Sequence, residues 1–388
     1  MAFTGKSTYS AMDSGKHIEV AEDVSDIISV VSPYETPLLD HLGDAVRPAM
    51  STYHEWLEDE LLPNKDAVNQ VSFTNAQTDA TFVVDHVDRF RVGDQVRPVG
   101  SRELLLVTAV NTGGASITVV RCYGGSAASS LANDQVLHIL GNAALEGDDA
   151  PTARFTNRSR RGNFTQIFTA PVRVSGSDLA VRKLSVSDEL DFQKQERLRE
   201  LLRDLEATVI NGTSPSATPE GSSTVRRTMK GIVSHLSTNV FSPNVDGFPN
   251  DADLTEAQLN LALRLIWENA SSRIDTIVVN GYQKRRINGF ITSGRTYGPT
   301  DSGYRDLVSV YESDFGVCRV ILSRSVPADS ILLLDSSRLD VLPLAGRSFH
   351  YKPLASTGDY EAGELIGEYT LELRNEAAHG MIHGLDIA

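Results

Sequence analysis

Apolar residues recur at helical spacing through "SDELDFQKQERLRELLRDLEATVI", at Leu198, Leu201, Leu202, Leu205, Val209 and Ile210. Leu190 and Phe192 lie one to two turns earlier. The pattern predicts a helix over Asp188–Ile210, about 35 Å long at ~1.5 Å per residue. The rest of its surface is Glu, Gln, Lys and Arg, so the apolar stripe is narrow. Such a helix lies across a sheet rather than inside a core. It stops at Asn211-Gly212-Thr213, crosses a Ser/Pro/Gly-rich loop and re-enters order at "MKGIVSHL".

Upstream, the pattern is extended. "TYHEWLEDELLP" reads as an outgoing strand with exposed carboxylates, and "NFTQIFTAPVRVSGS" as a returning one, with Phe164, Ile167 and Val172 among its apolar positions. Between them, "FRVGDQVRPV", "ELLLVTAV", "SITVVRCY" and "DQVLHIL" are four short strand signals separated by Gly- and Asn-rich turns. They predict a small antiparallel barrel or sandwich over His86–Gly141. At about 55 residues it is near the lower limit for independent folding.

Residues 1–50 read as an arm, polar to Gly15, with a short helical pattern through Val24, Ile27, Ile28 and Val31 that Pro33 stops. "SPYETPLLDHLG" then reads as extended, placing Leu38, Leu39 and Leu42 against an apolar surface. Downstream, "LTEAQLNLALRLIWENAS" predicts a helix N-capped near Asp253 or Thr255. "IDTIVVNGYQKRRINGFI" reads strand, turn, short helix, and "VCRVILSRSVPADSILLLD" gives two buried strands broken at Pro327. Tyr369, Leu371 and Leu373 alternate with Glu368, Thr370 and Glu372, the mark of a half-buried strand. "AAHGMIHGLDI" reads as a paired last strand.

The chain's 388 residues suffice for two or three domains. No apolar run approaches the ~18 residues of a membrane span. The N-terminus lacks an apolar signal core, which points to a protein made in the cytosol. Cys122 and Cys318 suit neither a disulfide framework nor a metal site and are expected as buried thiols. "GKST" at Gly5–Thr8 ends like a phosphate loop but lacks the preceding glycine and strand. No nucleophile elbow, zinc motif or dinucleotide loop is found, and His379 and His383 sit in a Gly-interrupted tail. No catalytic, cofactor or metal site is therefore assigned, and the chain reads as a non-enzyme.

A net charge of −15 argues against a protein whose task is to grip nucleic acid. Against this background Arg154, Arg158, Arg160 and Arg161 form one basic cluster. Glu55, Glu58, Asp59 and Glu60 are its natural partners on another copy, because arginine's planar fork pairs bidentately with carboxylates.

The order of arm, hairpin, long helix, loop, "GI" re-entry and mixed α/β region resembles the major capsid proteins of tailed phages, in the fold named after phage Hong Kong 97. "VINGTSPSATPEGSS…MKGIVSHL" looks like the exit of that fold's spine helix. "VYESDFGVCRVILSRSVPADSILLLD" and "EAAHGMIHGLDIA" look like late strands of a subfamily with a β-barrel inserted in its extended loop. The resemblance implies an α+β fold with an N-terminal arm (1–50), an extended loop carrying the barrel (51–177), a spine helix and peripheral domain (178–250), an axial domain (251–350) and C-terminal strands completing the peripheral sheet (351–388). It implies a structural protein assembling with itself as hexamers and pentamers into an icosahedral head, within the host cytoplasm. Its other implied partners are a portal, scaffolding or decoration proteins, and double-stranded DNA touched weakly and without specificity. An encapsulin-type protein shell is the alternative within the fold. A soluble enzyme or carbohydrate-binding protein with an accessory barrel is the alternative outside it.

Overall fold

The computed structural model describes residues 35–387 apart from 148–154, 157, 182–187, 246, 271–272 and 293–309. The expected helix around Val24–Val31 lies outside the described residues, as does Arg154. The chain forms two compact units, one running to Trp56 and resuming at Arg160, the other spanning Leu57–Ser159.

In the first unit the long helix runs Glu189–Asn211. Asp188 caps it, accepting from the backbone N–H groups of Leu190 and Asp191 at 2.9 and 3.2 Å. Leu201, Leu205, Val209 and Ile210 are buried, as the periodicity predicts. They share a core with Phe168 and Ala170 of strand Gln166–Ser175 and with Leu365, Leu371 and Leu373 of strand Tyr360–Leu373. These two strands pair antiparallel from Gln166↔Tyr369 to Ser175↔Tyr360, and Leu339–Pro343 and His350–Leu354 line the far side of Tyr360–Leu373. The helix thus lies across a sheet. Ile167 faces outward on this sheet, 47% exposed; Phe168, Ala170, Val172 and Val174 form the buried face.

The helix exit explains its glycines. Gly231 N–H donates to the Gly212 carbonyl at 2.9 Å, so the leaving and returning chains touch there. A Cβ on Gly231 would lie 2.5 Å from Gly212 N and 2.7 Å from Thr208 O, both rigid backbone atoms. Only hydrogen fits at this crossing.

A second sheet in this unit is mixed and six-stranded. Its order is Val240–Phe241, Gly380–Ile382, Ile331–Leu334, Thr276–Val279, Gly316–Leu322, Val310–Ser313. The two central strands are buried at every position. Ile277, Val279, Ile331 and Leu333 pack under helix Glu256–Asn269, while Val278, Leu332 and Leu334 join the core of the long helix. Thr255 and Gln258 cap Glu256–Asn269 with a reciprocal capping box.

Three expectations change. Residues Pro37–Leu42 are helical, not extended: Pro37 takes the first turn, which suits its fixed φ. Leu38 is buried and Leu39 and Leu42 pack beside it, as expected. The last strand, Gly380–Ile382, joins the mixed sheet beside Ile331–Leu334 and not the peripheral one, because its apolar residues fill both faces of that larger core. Cys318 is buried, and burial pushes its thiol up to about 11, but Cys122 is only half-buried.

The second unit is a curled six-stranded antiparallel sheet. The four expected strands are Asp94–Pro98, Leu105–Asn111, Ser116–Val120 and Val136–Asn142. Lys65–Ala67 and Thr81–Val83 add its two edges, which meet at an antiparallel bridge between Val68 and Val84. The sheet therefore begins well before His86. Phe82, Val96, Leu105, Val107, Ile117 and Leu137 fill its interior. Buried among its loops, Glu103 accepts from Arg121 Nε and Nη2, both at 2.8 Å, and from Ser129 N at 2.8 Å. Burial works to raise its carboxyl, but these hydrogen bonds win and hold it at about 2.

Candidate functional site at the root of the hairpin

The outgoing strand Tyr53–Glu58 pairs with Ser159–Phe164, the first half of the returning arm. Their root sits on the polar face of strand Tyr360–Leu373. The alternation predicts that face to be wet. It is buried instead: Thr370 and Glu372 have no exposure and Glu368 has 3%. Bonding accounts for it. His54 Nε2 donates to Glu372 Oε2 at 2.6 Å, and Arg47 Nη2 reaches both Glu372 oxygens at 3.1 Å. Thr165 Oγ1 and Arg227 Nη2 both donate to Glu368 Oε1 at 2.6 Å, and Arg347 Nε lies 2.8 Å from Glu368 Oε2. Thr370 Oγ1 donates to Phe164 O at 3.1 Å.

Asn163 completes the root. Its side-chain N–H groups donate to Leu371 O and Lys230 O, and its oxygen accepts from Lys230 N, all at 2.9 Å. One buried amide thus joins the returning strand, the peripheral sheet and the "GI" re-entry. The row fastens both strands of the hairpin and the segment before them. The hydrogen bond from His54 holds the Glu372 carboxyl below its ordinary range against the opposing effect of burial, helped by Arg47 and Arg374. A carboxylate held toward its ionised form and fully paired fastens; acid–base work needs a value nearer the working pH.

A second buried carboxylate belongs to the long helix. Glu206 accepts from Leu38 N at 3.2 Å and from Ser323 Oγ at 2.6 Å. It joins helix Pro37–Leu42, the long helix and the end of a mixed-sheet strand. Desolvation raises its pKa despite these bonds. Its burial corrects the expectation that every charged residue of this helix faces solvent.

Of the residues expected at a subunit interface, Arg160 and Glu55 meet within one chain, Nη1 to Oε1 at 3.6 Å, across the paired strands. Both side chains remain largely exposed beside each other, Arg160 at 70% and Glu55 at 39%. Arg158, Arg161, Asp59 and Glu60 are exposed and Glu58 is half-buried. Asp59 accepts from Thr156 Oγ1 at 3.1 Å. Asp66, Asp85 and His86 cluster in the second unit, but Asp66 is already engaged by His86 and Arg89 at 3.0 and 3.2 Å. Arg47, His54, Asn163, Arg227 and Arg347 carried no local signal of their role. The one available clue was a Glu-Thr-Glu face on an otherwise apolar strand.

The family model for the SU10 major capsid protein matches residues 3–386. The chain belongs to that family. It is a phage major capsid protein, a shell component of the virion. Solved structures agree on the fold. Microbacterium phage Oxtober96 aligns with a TM-score of 0.53 at 10% identity, over 97% of this chain and 98% of that one. The capsid asymmetric unit of cyanophage A-1(L) gives 0.53 at 12%, over 96% and 99%. The capsid of a native GTA particle gives 0.52 at 12%, over 98% and 100%. No curated protein sequence matches. The fold is thus the Hong Kong 97-type capsid fold, and the capsid protein's hairpin, long helix and two sheets are its parts. Family membership favours the phage capsid over both the encapsulin-type shell and the soluble enzyme.

Proposed function

We propose that copies of this capsid protein close as hexamers and pentamers into an icosahedral head around double-stranded DNA, assembling in the host cytoplasm with a portal and with scaffolding or decoration proteins. The observation that carries this reading is the root. Buried polar bonds fasten the base strands of a two-stranded hairpin to the peripheral sheet of the first unit. A hairpin anchored at its base can meet the same surface on each neighbour, and repeated heterologous contacts close a shell. An acidic lining leaves DNA free to slide.

In this reading residues 1–50 are the arm, 51–177 the extended loop with its curled sheet, 178–250 the spine and peripheral region and 251–350 the axial region. Arg158, Arg160 and Arg161 on one side of the hairpin, and Glu55, Glu58, Asp59 and Glu60 on the other, face neighbouring copies, and Arg154 is proposed to join them. The purified protein should sediment as shells or rings and show them in negative stain. Arg158→Glu with Arg161→Glu should leave folded but unassembled subunits. A wild-type protein that scatters only as a ~42 kDa species across salt and concentration would overturn the shell.

A further inference from the structure

Two cations, Lys65 and Arg97, flank His138 in one row on the outside of the curled sheet. Lys65 pairs across strands with His138, and His138 with Arg97. Directly opposed residues have Cβ atoms about 5 Å apart, so the two charges stand about 10 Å apart on either side of the imidazole. The alternation puts all three outward: their neighbours Asp66, Val96 and Leu137 are buried, while Arg97 is exposed and Lys65 and His138 are half-exposed. Among the described residues none of the three has a carboxylate partner within ion-pair distance. Burial, Lys65 and Arg97 all lower the pKa of His138, and no acidic group counters them.

Two cations without carboxylate partners among the described residues stand out in a chain of net charge −15. The next row out is apolar. Val136 pairs with Ala67, and Val99 N–H donates to Val136 O at 2.8 Å; Val99 and Val136 are 48% and 39% exposed. The surface is therefore a cationic row beside an apolar row. One segment of the chain has the complementary order. Residues Glu58, Asp59 and Glu60 are followed by Leu61 and Leu62, which are 86% and 39% exposed.

We propose that the Lys65–His138–Arg97 face of one copy receives the acidic-apolar segment Glu58–Leu62 of a second copy, the carboxylates on the cation row and the leucines on Val99 and Val136. This rests on the shell reading and names the cations that the acidic half of the hairpin meets.

The test is a charge swap in the full chain, read as the critical concentration for shell assembly by sedimentation and light scattering. Lys65→Glu with Arg97→Glu should raise it at least about tenfold, the equivalent of ~1.4 kcal/mol per subunit. Asp59→Lys with Glu60→Lys should do the same. All four together should return it to within about twofold of wild type, since only a direct pairing is restored by exchange. Lys65→Gln with Arg97→Gln is the folding control. It removes both charges without reversing them and breaks no ion pair within the subunit, so it should melt as wild type does and still assemble poorly. Wild-type critical concentration in either Lys65/Arg97 variant overturns the inference, as does a fourfold variant that folds but stays unassembled. Variant shells that form normally and lose only DNA retention would make the row a nucleic-acid surface and equally overturn it. Failure of the wild type to assemble would instead sink the shell reading.

Discussion

Glu372→Gln keeps the shape of the root and removes its charge. Arg47 and Arg374 are 65% and 41% exposed, so losing their ion pairs costs under about 1 kcal/mol. His54 is different: its side chain is 13% exposed and its 2.6 Å bond is to an ionised group. Such a bond contributes about 1.5–3 kcal/mol. The variant should therefore lose about 2 kcal/mol, mainly through His54. Trp56 lies two residues along the same strand, with ring centroids 6.0 Å from His54, and is one of two tryptophans. In a Trp267→Phe background its fluorescence reports opening of the root during urea unfolding of unassembled subunits. His54→Gln should cost about as much, and the double variant little more than either, a coupling of about 1–2 kcal/mol. The carboxyl is held below its unfolded value, so its contribution is complete above the ordinary carboxylate range and disappears as pH falls through the lower folded value. Additive single variants, or a root whose stability ignores acidification in the wild type, would refute the fastening argument.

Gly231→Ala should destabilise by about 3 kcal/mol, seen as a lower urea midpoint, because the new methyl meets backbone on three sides. Glu103→Gln should cost about 3–5 kcal/mol in the second unit by leaving Arg121, 8% exposed, without its charge partner. Glu103 falls to about 2, so its stabilisation is present above ~4.5 and lost as pH drops toward 2; amide exchange in the second unit across this window checks both statements. Glu206 is raised, so the sign reverses: its neutral form stabilises below the usual carboxylate value, and that stability is lost as pH rises through the folded value. Glu206→Gln should flatten this dependence, measured as the urea midpoint from pH 4 to 8.

The apolar periodicity of residues 188–210 contained the long helix and its buried stripe, because these depend on neighbours three and four residues away. The same local rule located the four strands between residues 94 and 142. Asn211-Gly212 and Gly231 marked the helix exit because a backbone crossing admits nothing larger. The acidic and basic strands of the hairpin were legible too, though not that Arg160 and Glu55 lie within 3.6 Å of each other in one chain.

Only the tertiary structure decided which polar faces are dry. Glu368 and Glu372 read as solvent-facing because alternation tells how an element divides its residues between two faces, not what covers each face. His54 and Glu372 are separated by 318 positions, and Asn163 meets Leu371 across 208. Glu206 looked like any charged helix residue until Leu38 and Ser323 came against it. The last strand's place in the mixed sheet was likewise set by which core had room for Met381 and Ile382. A buried polar group is stable only beside its partners, and the chain brings those together only when it folds.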